Sequence, residues 1–156
     1  MVKKMMTRNK IIKCLKKYFH IKELVCPQVF EKHGERAWMF LATIYLHTLL
    51  VLRRDILQVP LVCNTTTLTQ RGLRCNLCDI VKEKTEDDIV YLSAHHLGIG
   101  GDLSSPEMTA EEMRQKIEEK QDLLPYPIRI EKGVNWLHVD CYDDINDNNK
   151  ITYFNP

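Results

Sequence analysis

Apolar residues recur along this chain with two periods, and the change from one to the other outlines its elements. Residues 8–18 alternate lysines with apolar residues at helical spacing, which fits either a short amphipathic helix or a flexible basic leader. After the tight segment Lys22–Pro27, apolar residues run from Val29 to Leu57 through about eight turns with an interruption near Gly34, predicting one long core helix. Its most apolar part, Trp38 to Leu52, is too short to span a bilayer and is closed by Arg53, Arg54 and Asp55, so it reads as buried core.

Pro60 resets the chain before the strand-like run Leu61-Val62-Cys63, and residues 64–79 then carry no period at all. A long aperiodic loop inside a compact domain is usually a functional one. Ile89 to Ser93 is expected to form a strand, followed by Gly98, Gly100 and Gly101, which permit tight turning. Thr109 with Glu112 three positions on is a capping box, opening a helix to about Gln121. Ile128–Ile130 and Trp136–Asp140 alternate as two strands joined through Lys132-Gly133, and Ile151–Phe154 makes a last one. The expected fold class is α+β, a small antiparallel sheet with a long core helix. At 156 residues the chain has the length of one domain, with residues 1–18 as leader or helix and 19–156 as the domain proper.

Charge and cysteine content narrow the function classes. Twenty-two basic residues nearly cancel twenty-one acidic ones, so nothing draws the chain towards nucleic acid or acidic lipid. The lysine-rich start lacks the apolar run of a signal peptide, which predicts synthesis in the cytoplasm and no membrane insertion. Six irregularly spaced cysteines, the first of them Cys14, suggest mostly reduced thiols. Cys75 and Cys78 have the two-residue gap of a zinc knuckle, but Cys26, Cys63 and Cys141 are too scattered in sequence to supply an evident second pair, so packing thiols are the favoured reading.

The candidate chemistry lies in Ser-Ala-His-His-Leu-Gly-Ile-Gly-Gly-Asp, residues 93–102, and Trp-Leu-His-Val-Asp, residues 136–140. A catalytic zinc uses histidine and carboxylate donors and keeps one position open, and His95, Asp102 and His138 offer that set. Glycine-rich chain can fold His95 and Asp102 onto one metal, while the strand period puts Trp136, His138 and Asp140 on one face.

The pattern Ser93-x-His95-x-x-Gly98-x-Gly100-x-Asp102, followed by His138, resembles the zinc peptidase family of D-Ala-D-Ala carboxypeptidases and phage endolysins, related to the hedgehog and lysostaphin zinc folds. Gly100 stands where that family usually has alanine, a small-for-small change expected to leave the metal undisturbed. The likeness extends over residues 19–156, through the opening Phe19–Pro27, the loop Thr69-Gln-Arg-Gly-Leu-Arg-Cys-Asn and the closing Lys150-Ile-Thr-Tyr-Phe-Asn.

The resemblance implies one zinc ion on His95, Asp102 and His138 and hydrolysis of a peptide bond in peptidoglycan stem peptides, by a carboxypeptidase or an endopeptidase. The protein would act as a monomer at the cell wall, after release or as part of a virion. It also implies that Arg71, Arg74 and Asn76 face the substrate, Arg71 foremost, with Arg74 structural or supporting. The spacing to Asp102 selects His95 over His96. Some relatives carry an acid where this chain has Asn135; Glu131 then becomes the candidate general base, its alternative being a solvated strand-end carboxylate. Asp140 suits orientation of a ligand histidine better than proton transfer, and Ser93 supports the same shell. A zinc-fold protein that binds the wall without cleaving it is the rival expectation.

Overall fold

The computed structural model describes residues 6–142 and 149–156. Thr7 caps α1 (Arg8–Leu15) by accepting from the Lys10 amide. Lys10, Lys13 and Lys16 stay exposed while Ile11 and Leu15 are fully buried, so the lysine-rich start is a helix packed into the main core beside Phe19 and Ile21. Residues 1–5 of the expected leader lie outside the described residues.

The apolar stretch expected to be one long helix is four consecutive segments. α2 (Pro27–His33) ends at Gly34, whose φ of 54° turns the chain into the tight 3₁₀ segment Gly34–Phe40. Ala42, extended at ψ 143°, restarts it as α3 (Thr43–Val51), and a wider turn over Leu52–Leu57 closes at Gln58. The break at Gly34 is where the sequence placed an interruption; hydrophobic content persists across the later break at Ala42, which hides it from a periodicity argument. α3 is buried along most of its surface, with Tyr45, Leu46, Thr48, Leu49, Leu50 and Val51 inside and Ile44 exposed, and it forms the centre of the domain.

Four short strands make the sheet: β1 (Gly100–Leu103), β2 (Ile128–Glu131), β3 (Leu137–Asp140) and β4 (Ile151–Phe154), in the order β1-β3-β2-β4. β3 runs antiparallel to both β1 and β2, whereas β4 lies parallel to β2. The α+β class is therefore as expected, but the sheet is mixed rather than antiparallel. β4 lies on the far side of β2 from β3 and runs parallel to β2.

Two other strand expectations fail. Ile89 to Ser93 forms no strand and pairs with nothing in the sheet, and Ile89, Val90 and Leu92 are exposed, Val90 by 85%; branched residues without a neighbouring strand make no sheet. Leu61–Cys63 contributes a single bridge, Val62 to Ser104. α4 (Asp79–Glu86) and α5 (Ala94–Leu97) form on either side of residues 89–93, where the sequence suggests no element. α6 (Ala110–Glu119) carries the expected capping box, and its buried Arg114 donates to the carbonyls of Glu131, Val134 and Trp136, fixing the β2–β3 turn. No helix among the described residues is long and apolar enough to cross a membrane.

Candidate metal centre

α5 is a single turn that delivers the first histidine. Ser93 caps it by accepting from the His96 amide at 3.3 Å, and Gly98, at φ 69°, ends it. A side chain on Gly98 would be strained and would run into the Phe40 carbonyl oxygen. Gly98→Ala is accordingly expected to cost about 1–3 kcal/mol of stability, read as a lowered urea midpoint at unchanged slope.

His95 points inward from this turn. Its Nδ1 lies 2.9 Å from the Gly72 carbonyl, which can only accept, so the ring proton sits on Nδ1 and the Nε2 lone pair faces Asp102 Oδ1 at 3.4 Å. The β1–β3 register sets Asp102 opposite His138, whose Nδ1 is 2.7 Å from the same Oδ1. Donor atoms of His95, Asp102 and His138 all lie within 4.8 Å of one another.

Behind these donors stands a buried carboxylate. Asp140, fully shielded from solvent, takes His138 Nε2 at 2.8 Å, a bidentate Arg129 guanidinium at 2.9 Å on each oxygen, and the Tyr142 amide at 2.9 Å. Gly100 pairs with Asp140 across the strands, and even a methyl there would meet the Asp140 Cβ at 2.5 Å. Glycine in place of the expected alanine is thus what this chain's packing requires.

The electrostatics follow from that crowding. Burial alone would raise the Asp102 carboxyl, but hydrogen bonds from His138 and His95 outweigh it and hold the group well below the usual carboxylate range. Burial would likewise lower His138, yet Asp102 and Asp140 on its two nitrogens push it up to about 9. Asp140 is raised by burial and brought below its ordinary value by His138, Arg129 and the Tyr142 amide. The pocket is built around a positive charge between carboxylates. Two imidazoles and one carboxylate, with the far nitrogen of each ring anchored by a carbonyl or a carboxylate, form the donor set and supporting shell of zinc, so the residues fit that ion.

No family model matches this chain, and no curated protein or solved structure matches it either. The case for the site therefore rests on its own residues.

Of the other expected site residues, Arg74 comes nearest: Nη2 is 3.7 Å from Asp102 Oδ2, while its other nitrogens bond the Gln70 carbonyl and the Tyr91 hydroxyl. Arg71 accepts from the Asp102 amide through its backbone and reaches Ser104 Oγ through its half-buried guanidinium. Asn76 is exposed in the turn between Cys75 and Cys78. His96 turns away towards Tyr91. Asn135 is exposed in the turn before β3. Glu131 ends β2, and its carboxylate is not among the atoms that converge within 4.8 Å.

Three contributors had not been singled out from the sequence. Arg129 alternates with Glu131 on β2, a period-two cue that points both at one face. Phe154, whose ring meets His138 edge-on at 5.6 Å, is placed there by the parallel pairing of β4. Gly72 acts through a backbone carbonyl and leaves no signature in residue type.

Proposed function

We propose that the protein is a zinc-dependent peptidase that hydrolyses a peptide bond of bacterial cell-wall peptidoglycan, of the D-Ala-D-Ala carboxypeptidase and phage endolysin kind. The observation that carries this reading is the meeting of His95, Asp102 and His138 around one point, with Gly72 and Asp140 fixing the two rings from behind. Those three side chains would hold one Zn²⁺. Zinc bound there supplies a Lewis acid that lowers the pKa of water towards neutrality and polarises a carbonyl.

The chain's own groups would do the rest. Asp140 keeps His138 turned with Nδ1 towards Asp102, and Arg129 keeps Asp140 charged. Glu131, beside His138 on the sheet face, takes the proton from the attacking water and passes it to the leaving amine. Arg71, half-buried next to β1, offers a guanidinium to a stem-peptide carboxylate. Arg74 is occupied with Asp102 and Tyr91 and holds the loop.

Muropeptides of several chemotypes, incubated with zinc-loaded protein and resolved by mass spectrometry, test the reading. The wild type should release cleaved stem peptides, and His138→Ala should retain the fold and lose both zinc at this centre and cleavage. Zinc binding at this centre without cleavage of any chemotype would instead favour the wall-binding protein.

A further inference from the structure

Away from this centre, the fold gathers three cysteines that are far apart in sequence. Cys26 precedes α2, Cys75 lies in the aperiodic loop and Cys78 precedes α4, yet their sulfurs lie within 4.8 Å of one another. Cys26 and Cys78 are buried and Cys75 is half-buried, with Val81, Val29 and Tyr91 packed around them. The sequence favoured packing thiols because no partner for the Cys75–Cys78 pair was evident. Cys26 is that partner.

Backbone geometry makes the gathering specific. A parallel bridge between Val25 and Leu73, with the Cys26 amide on the Leu73 carbonyl and the Leu73 amide on the Leu24 carbonyl, both at 2.9 Å, sets Cys26 against the Cys75 turn. The Cys78 amide closes that turn on the Cys75 carbonyl at 3.1 Å, and the Leu77 amide donates to Cys75 Sγ at 3.4 Å. Burial pushes the Cys26 thiol up and the Cys78 thiol up to about 12, so both stay protonated without a cation beside them. Three sulfurs this close can all ionise only around a cation, and a bound metal ion is what draws protons from buried thiols. An odd number of thiols also leaves one over if a disulfide forms.

We propose that Cys26, Cys75 and Cys78 bind a second metal ion, a structural Zn²⁺, through three thiolates, with a water completing the tetrahedron. The two-residue gap between Cys75 and Cys78 is the knuckle spacing of such sites. Each thiol gives up its proton to solvent on binding. The ion would staple the opening segment, the aperiodic loop and the start of α4, and that loop carries Gly72, which orients His95, and Arg74, which approaches Asp102. It is a positioning device for the first centre and stands independently of what that centre catalyses.

The test uses the full chain, stripped of metal under reductant and titrated with Co²⁺ and then Zn²⁺. Wild type should take up two equivalents and His138→Ala one, both with the intense near-ultraviolet sulfur-to-cobalt band. Cys78→Ser should keep one equivalent and lose that band. If Cys78→Ser does not fold, Zn²⁺ should still protect Cys75 of the wild type from iodoacetamide, and a chelator should reverse the protection. Absence of the sulfur-to-cobalt band in both wild type and His138→Ala, or alkylation of Cys75 indifferent to Zn²⁺, overturns the proposal. A sulfur-to-cobalt band in a wild type that cleaves no muropeptide leaves the thiolate site standing and removes the peptidase reading alone.

Discussion

Replacing Asp140 with alanine is expected to destabilise the fold by about 3–5 kcal/mol and to weaken zinc binding at His95, Asp102 and His138 by about 10–100-fold. Asp140 holds three residues at once. Its oxygens take His138 Nε2, both arms of Arg129 and the Tyr142 amide, and it is entirely buried. Alanine leaves the Arg129 guanidinium, itself only a quarter exposed, without its buried counter-charge, and breaking such a pair costs far more than the intact pair is worth. The metal effect has a separate origin: without a carboxylate on Nε2, the His138 ring loses both its orientation and part of its basicity. Asp140→Asn separates the two, because the amide keeps an oxygen for one donor and gives up the charge. Denaturant unfolding of the metal-free protein reads the first effect and competition against a chromophoric chelator the second. A loss below about 1 kcal/mol, the range of an exposed ion pair, would mean that Asp140 is not the anchor its contacts describe.

Much of this centre was legible because its donors sit in short patterns whose local structure is simple. His138 and Asp140 alternate on a strand, and the strand is there. Thr109 and Glu112 cap a helix, and the helix is there. What escaped was set by long-range packing. Gly100 and Gly101 are poor strand formers, yet they lie in β1 because Asp140 and the Tyr45 hydroxyl come too close for any side chain. Ile89, Val90 and Leu92 have the residue types of a strand and no sheet neighbour, so local propensity misled. The break at Gly34 was legible, but the second break, at Ala42, is masked by the continuous apolar content on either side. The pairing of Cys26 with Cys75 and Cys78 needed a bridge between chain segments that no spacing rule encodes.

The same register leads to the second large effect: Glu131→Gln should lower muropeptide cleavage by about 10²–10⁴-fold while leaving zinc stoichiometry and folding unchanged. Arg129 pairs with Asp140 and Ile130 with Val139, and just beyond that last pair Glu131 follows on β2 where His138 precedes on β3. Because side chains alternate, Glu131 shares the face on which Arg129 meets Asp140. Its other neighbour is Phe154, paired with it in β4 and in contact with the His138 ring. The Glu131 backbone is held by Arg114 as well, so its position is fixed while its side chain stays half-exposed, as a group that trades protons with water must be. The alternatives are weaker on the same grounds. Asp102 already faces both histidines of the candidate centre, Asp140 has both oxygens committed and meets no solvent, and the amide of Asn135 cannot take a proton. Zinc content measured beside the rate makes the result decisive, since a damaged centre loses metal and a missing base does not. If Glu131→Gln cleaves at the wild-type rate with its zinc in place, the proton acceptor is not on this face of the sheet, and the substrate's own carboxylate, gripped by Arg71, becomes the group to test.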